Sequence, residues 1–275
     1  MTQETIAFIG GGNMATSLIG GMVASGFDAG AIHATDPLAQ RRDELAAEFG
    51  ISVGDDNADA AHGADVLVLA VKPQVMREVV ATLADAAKVR QPVVVSIAAG
   101  IAEPDLRRWL GYEAAVVRTM PNTPALVQTG ITGMFANHNV TAMQRQQADA
   151  VMRAVGKTVW LDDEAMIDAV TAISGSGPAY FFLLMELLVE SGTRLGLTRE
   201  VATELALNTG LGAARMALAS TDGPGVLRER VTSPGGTTAA ALEQFQAGGL
   251  PDLVQTATQA ARDRGAQLAA ELGKD

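Results

Sequence analysis

The sequence predicts an α/β fold, with a doubly wound parallel sheet over residues 1–162 and an all-α domain over residues 163–275. Three observations carry this. Apolar runs alternate with helix-period segments through the first half. Several of these runs are continuous in Val, Ile, Leu and Ala, as parallel strands covered on both faces require. The strand pattern then stops after Trp160-Leu161-Asp162-Asp163, and only helix patterns follow.

Strands are expected over 5–9, 31–35, 65–71, 92–98, 114–119 and 158–161, with helices over 13–25, 38–49, 73–86, 104–109 and 142–155. The repeated strand–helix–strand order implies a doubly wound parallel sheet. Beyond the sheet, helices are expected over 164–173, 178–195, 199–219, 225–231, 238–247 and 252–272. Pro178 fits a first turn and Thr198 an N-cap. The helix from 178 to 195 is apolar on most of its circumference, through Tyr180, Phe181, Phe182, Leu183, Leu184, Met185, Leu187, Leu188 and Val189. Such a helix needs cover on every side. A second subunit is expected to supply it, the alternative being the neighbouring helices of the same domain.

Composition narrows the function. The chain is 48% hydrophobic and 19% charged, which describes a globular protein, and at 4% aromatic its core must be aliphatic. A net charge of −11 argues against nucleic acid and anionic membranes as partners. Apolar runs such as 180–184 are short for a membrane span, and residues 1–5 carry no basic residue or apolar signal core. A cytoplasmic location is expected. The absence of cysteine excludes disulfides, thiolate catalysis and zinc–thiolate sites, and no metal is expected.

The strand Ile6-Ala7-Phe8-Ile9 runs directly into Gly10-Gly11-Gly12-Asn13-Met14-Ala15 and a helix. This is G-x-G-x-x-A in the setting that a Rossmann-type dinucleotide site requires. Gly10 permits the tight turn, Gly12 lets the backbone approach a pyrophosphate, and Ala15 keeps the helix close to the sheet. At the end of the second strand, Asp36 is placed to accept from a ribose 2′-hydroxyl, which favours NADH. Arg41 and Arg42, a turn beyond, suit the 2′-phosphate of NADPH. A helix cap is the alternative role for Asp36. Further strand ends carry Ala70-Val71-Lys72-Pro73 and Ser96-Ile97-Ala98-Ala99-Gly100, where ligands of open α/β sheets sit. Lys72 reads as functional there, or else as a solvated cap.

Three polar clusters mark the reacting end: Met120-Pro121-Asn122-Thr123-Pro124, Ser174-Gly175-Ser176-Gly177-Pro178, and Ser233-Pro234-Gly235-Gly236-Thr237-Thr238. The first follows a strand and should flank a nicotinamide. The last precedes a helix, so its amides form a nest for a carboxylate or phosphate. Helix caps and turns are the alternative for each. The second domain has no Lys before Lys274, whereas alcohol–ketone chemistry normally needs a proton-handling group at the oxygen. An imine nitrogen is basic enough to arrive protonated, so its reduction needs mainly orientation toward the cofactor.

With these residues in view, the sequence resembles the pyrroline-5-carboxylate reductases, over essentially the whole chain. The resemblance rests on residues 10–14, Val71-Lys72-Pro73, Met120-Pro121-Asn122-Thr123-Pro124, residues 174–180 and, most specifically, Val231-Thr232-Ser233-Pro234-Gly235-Gly236-Thr237-Thr238. It implies reduction of 1-pyrroline-5-carboxylate to proline with NADPH or NADH. It also implies that residues 233–238 bind the substrate carboxylate through Ser233 and the backbone amides, joined by Ser174, Gly235, Gly236 and Thr237. Thr238 would hydrogen-bond the ring nitrogen as the catalytic residue, and Asn57 would contact the adenosine end of the cofactor. Dimers of interlocked helical domains, assembled in some members into decamers, are implied as well. Many NADPH-using members carry a Ser/Asn-Arg pair where this chain has Asp36-Pro37. On the residues alone, a β-hydroxyacid dehydrogenase or imine reductase, or a nucleotide-sensing protein without turnover, remains the alternative.

Overall fold

The computed structural model describes residues 4–274; residues 1–3 and 275, at the outer ends of the two expected domains, lie outside them. Among these residues, eight strands form one sheet: β1 (Ile6–Ile9), β2 (Ile32–Thr35), β3 (Ser52–Gly54), β4 (Val66–Leu69), β5 (Val93–Ser96), β6 (Val116–Met120), β7 (Gly130–Ala136) and β8 (Gly156–Leu161). The order is β3-β2-β1-β4-β5-β6-β7-β8. The strands from β3 through β6 run parallel, β6 and β7 pair antiparallel, and β7 and β8 are parallel to each other. The helices around the sheet are α1 (Asn13–Ala24), α2 (Ala39–Phe49), α3 (Asn57–Gly63), α4 (Met76–Arg90), α5 (Glu103–Leu110), α6 (Ala142–Arg153) and α7 (Met166–Val170). After them come α8 (Gly177–Arg194), α9 (Arg199–Ala219), α10 (Pro224–Arg230), α11 (Thr237–Ala247) and α12 (Leu250–Leu272).

The period of two along each strand divides the core. Ile6 and Phe8 of β1 face one layer with Ile32, Val66, Val93 and the helices α1 and α6. Ala7 and Ile9 face the other, with Leu67, Leu69, Val94 and helices α3, α4 and α5. Burial on both faces is why these strands read as unbroken apolar runs. Each fully buried Leu, Ile, Val or Phe side chain contributes about 1.5–3 kcal/mol.

Two strands and one helix differ from the sequence reading. β3 is a three-residue edge strand, too short to show a period. β7 contains Gly130 and Gly133, which read as turn residues. At Gly133 a Cβ would stand 2.7 Å from the Val170 side chain, so the glycine marks where α7 packs onto the strand. α3 is capped by Asp56, which accepts from the Ala58 and Asp59 amides. The expected cap Thr198 does accept from the Val201 amide at the start of α9.

The last strand ends at Leu161, but the compact units divide later. One comprises Met1–Ser176 with Ala261–Asp275, and the other Gly177–Ala260. α7 and the π turn Thr171–Gly175 stay with the sheet because Val170 packs on Gly133.

Asp149 of α6 ties that helix to β8, accepting from Thr158 (2.7 Å), Trp160 Nε1 (3.0 Å) and Arg153. Burial pushes its carboxyl up, but the bonds from Thr158, Arg153 and Trp160 outweigh this and hold it below the usual aspartate range. A depressed carboxylate stabilises the fold above its unfolded value, about 3.9, and that contribution is lost as pH falls through the folded value. Asp149→Ala is expected to cost about 2 kcal/mol near neutrality through the lost hydrogen bonds. Melting curves between pH 7 and pH 3 check this: the gap from the wild type should begin to narrow once the pH falls below the unfolded value of about 3.9.

In the second unit, Val189, Ala202 and Ala206 form a small buried cluster. Phe181 and Phe182 are each 66% exposed, and Leu183, Leu184, Leu187 and Leu188 are exposed too. By length and composition alone the helical run Met166–Arg194 is apolar enough to cross a membrane, a property that it shares with core helices of soluble proteins. Only Ser176 separates the π turn from α8, so the apolar stretch is longer than any single run in the sequence.

Candidate cofactor and substrate loops

The carboxyl ends of the parallel strands bring together most of the residues singled out above. β1 runs into Gly10, at φ +101°, where a Cβ would stand 2.8 Å from the Ala70 carbonyl oxygen. Left-handed backbone and the close approach to the end of β4 both demand glycine. Gly12 differs. Its φ is −65° and ψ 176°, and a Cβ there would meet nothing within 4 Å. It is the N-cap of α1 and makes no side-chain cap bond, so the first-turn amides at Asn13 and Met14 lack a capping side chain. An open approach to amides at a helix start fits the pyrophosphate of a dinucleotide.

Asp36 follows β2 and is half-buried. Its carboxylate accepts from the Gly11 amide (3.0 Å) and from the Leu38 amide (2.9 Å). The N-cap of α2 is Leu38, so Asp36 caps the turn before that helix rather than the helix itself. Arg41 donates through Nε to the Gly11 carbonyl (2.5 Å) and also bonds Thr16 and Glu44. Arg42 donates to the Asp36 carbonyl (2.7 Å) and pairs with Asp55 at 3.5 Å. Asn57, at the start of α3, accepts from the Thr35 hydroxyl (2.7 Å), which places it beside the end of β2.

The Ala70 amide donates to the Ile9 carbonyl (2.8 Å), which sets Ala70 and Val71 against the glycine turn. Lys72 is exposed and extended before Pro73, which begins a 3-10 turn. Ala98 is buried and Ala99 exposed just beyond β5. Asn122 is buried, with Oδ1 accepting from the Ile131 amide (2.9 Å) and Nδ2 donating to the Ser174 carbonyl (3.2 Å). That second bond joins the loop after β6 to the π turn. The Ser174 hydroxyl donates to the Val170 carbonyl (3.0 Å) within that turn, a local geometry frequent at functional sites.

In the second unit, the Gly236 amide donates to the Ser233 carbonyl (3.0 Å), closing a turn that has Gly235 at φ +70°. Gly236 is the N-cap of α11 and makes no side-chain cap bond. Thr237 and Thr238 are the first two helical residues, both exposed, so the Thr238 hydroxyl is not a helix cap. Ser233 is exposed as well.

The sequence reading passed over Arg118. This buried residue of β6 donates to Glu164 (2.8 Å) with Asp168 at 3.8 Å, and Glu164 also accepts from the Glu103 amide (2.7 Å). The available signal was a charged residue inside the apolar strand Val116-Val117-Arg118. Its effect is to anchor the chain leading into α7.

Residues 164–268 match the family described as pyrroline-5-carboxylate reductase dimerisation, and residues 5–100 match the NADP oxidoreductase, coenzyme F420-dependent, family. The chain is 55% identical, over 100% of both chains, to a pyrroline-5-carboxylate reductase of Pseudomonas aeruginosa. It is 41% identical to one of Haemophilus influenzae, over 98% of each. A solved pyrroline-5-carboxylate reductase of Coxiella burnetii superposes with a TM-score of 0.94 at 42% identity, covering 98% of this chain and 99% of that one. The Plasmodium falciparum pyrroline carboxylate reductase, solved with NADP bound, gives 0.85 at 27% identity, with 98% and 99% covered.

Proposed function

The chain belongs to the pyrroline-5-carboxylate reductase family, and from that premise we propose how its residues share the work. It is a homo-oligomeric oxidoreductase that reduces 1-pyrroline-5-carboxylate to L-proline, the last step of proline biosynthesis, with the hydride supplied by bound NADPH or NADH. The observation that best supports the division of labour is a pair of uncapped helix starts behind glycine turns, at Gly12 and at Gly236. They match the two anionic groups to be held, the cofactor diphosphate and the substrate carboxylate.

Gly10, Gly11 and Gly12 form the cofactor turn, and the amides of Asn13 and Met14 face the diphosphate. Asp36 and Asn57 border the adenosine ribose. Ala70, Val71, Lys72, Pro73, Ala98 and Ala99 line the path toward the nicotinamide. Asn122 contributes there through its backbone, since its side chain is engaged by Ile131 and Ser174. Ser233, Gly235, Thr237 and Thr238 hold the carboxylate through the serine hydroxyl and amides, while Gly236 closes the turn. Ser174, whose hydroxyl hydrogen goes to the Val170 carbonyl, binds the substrate by accepting from it. The Thr238 hydroxyl bonds the ring nitrogen and so aims the imine carbon.

Interlocked helical domains make the dimer, and five such dimers complete a decamer. The protein is cytoplasmic, without nucleic-acid or membrane partners. The cover for the apolar run Met166–Arg194 is a second copy, since that run lies wholly within the dimerisation segment. Phe182→Glu and Leu184→Glu are expected to aggregate or to give poorly folded monomers, because each places a charge on a face meant to be dry. Light scattering checks this, and a stable wild-type monomer would remove the assembly from the reading.

The test of the activity is oxidation of NADH and NADPH with 1-pyrroline-5-carboxylate as the second substrate. Cofactor oxidation with proline as product supports the assignment. Cofactor binding with no turnover would point to a sensing protein instead.

A further inference from the structure

Asp36 sits where a carboxylate at the end of the second strand reads the ribose 2′-hydroxyl, yet its bonds point back into the protein. Oδ2 accepts from the Gly11 amide at 3.0 Å, and Oδ1 accepts from the Leu38 amide at 2.9 Å. Arg41, from the first turn of α2, takes the other side of the same glycine by donating Nε to the Gly11 carbonyl at 2.5 Å. Its guanidinium is held in turn by Thr16 and by Glu44 at 2.8 Å. Arg42 fixes the corner from below, donating to the Asp36 and Pro37 carbonyls at 2.7 and 3.2 Å. Gly11 is buried and tightly enclosed: a Cβ would stand 2.8 Å from Leu45 and 3.3 Å from both Arg41 and Asp36. An acid and a base therefore grip the two polar groups of one glycine.

We propose that Asp36 and Arg41 are positioning residues that orient the Gly11–Gly12 peptide for the cofactor diphosphate, rather than residues that choose between NADH and NADPH. The argument rests on peptide geometry and on the cofactor reading above. In a planar trans peptide the C=O and the following N–H point in opposite directions. Arg41 draws the Gly11 carbonyl toward α2, which turns the Gly12 amide away from α2. Asp36 holds the Gly11 amide, so that N–H is spent on the clamp and the diphosphate meets the Gly12 amide and the first turn of α1. Gly12 stands in open space on that side. The clamp is the same whether or not the ribose carries a 2′-phosphate, so its loss falls equally on both cofactors.

Calorimetric titration of the full-length protein with NADH and with NADPH tests this, using Asp36→Asn and Arg41→Met. Asparagine places an NH2 against one of the two amides that the carboxylate accepts from, and methionine keeps the stem while removing the guanidinium. Each variant is expected to bind both cofactors about tenfold more weakly, a change of about 1.4 kcal/mol, with the NADH-to-NADPH ratio within twofold of wild type. By NMR, the Gly11 amide should exchange with solvent at least tenfold faster in both variants. Should Asp36→Asn fail to fold, Arg41→Met carries the same two measurements. Tighter NADPH binding with weaker NADH binding in Asp36→Asn would overturn the clamp in favour of a selector, and unchanged binding of both would also overturn it. A wild-type protein that binds both cofactors but leaves 1-pyrroline-5-carboxylate unreduced would refute the activity and leave the clamp standing.

Discussion

Thr238→Val is expected to keep its fold and its cofactor affinity while losing one to two orders of magnitude in kcat/KM, roughly 1.4–2.7 kcal/mol. Valine preserves the branched shape at the second residue of α11 and removes only the hydroxyl. The N-cap of that helix is Gly236, with no side-chain bond to lose, so the substitution leaves the helix start untouched. What disappears is the bond proposed to orient the ring nitrogen. If that bond strengthens as the imine is reduced, the loss falls on kcat; if it is equally strong in the bound substrate, it falls on KM. Steady-state kinetics over a full substrate range separates the two, and Thr238→Ser should recover most of the rate. Wild-type turnover of Thr238→Val at both limiting and saturating substrate would exclude this residue from the chemistry.

The second large effect contrasts two neighbouring glycines. Gly12→Val is expected to fold normally, because φ −65° is ordinary for any residue and a Cβ there meets nothing within 4 Å. Its branched side chain fills the approach to the helix start, so cofactor binding falls at least tenfold, about 1.4 kcal/mol. Gly10→Val should instead fail to fold stably. It combines φ +101° with a Cβ only 2.8 Å from the Ala70 carbonyl, and backbone cannot swing aside as a flexible side chain can. Thermal melting separates the pair, and titration of the folded Gly12 variant with NADH and NADPH completes the comparison. Unchanged affinity in Gly12→Val would place the diphosphate elsewhere.

What the sequence made legible was whatever a short window contains. The cofactor turn belongs to this class, since strand, glycines and helix start are contiguous, and so does the turn before α11. The buried strands were legible because burial on both faces leaves an unbroken apolar run. β7 was not, since its glycines answer to Val170 and to the Ala125 backbone, neighbours that the local sequence does not announce. The same holds for Asp36. Its place at the end of β2 is legible, whereas its bond to Gly11 spans 25 residues and becomes visible only when β1 and β2 pair. Asn122 is legible as a residue just after a strand, whereas its partner Ser174 lies 52 residues away.

The reversal of direction between β6 and β7 sets a length requirement that a fully parallel sheet would not. Because β7 and β8 run opposite to the first strands, the chain leaves Leu161 at the edge where those strands begin. To bring Ser174 up to Asn122 it must climb the sheet, and α7 with the π turn is the ladder. Arg118 grips its lower part through Glu164, Val170 rests on Gly133 midway, and Asn122 receives its top. A ladder of this kind is graded in helical steps of about 1.5 Å and about 100° per residue. Removing one residue from α7 would therefore swing Ser174 by more than a quarter of a circle, although no residue in the glycine turn or in the loop before α11 had changed. Substitutions in this stretch should be tolerated far better than insertions or deletions.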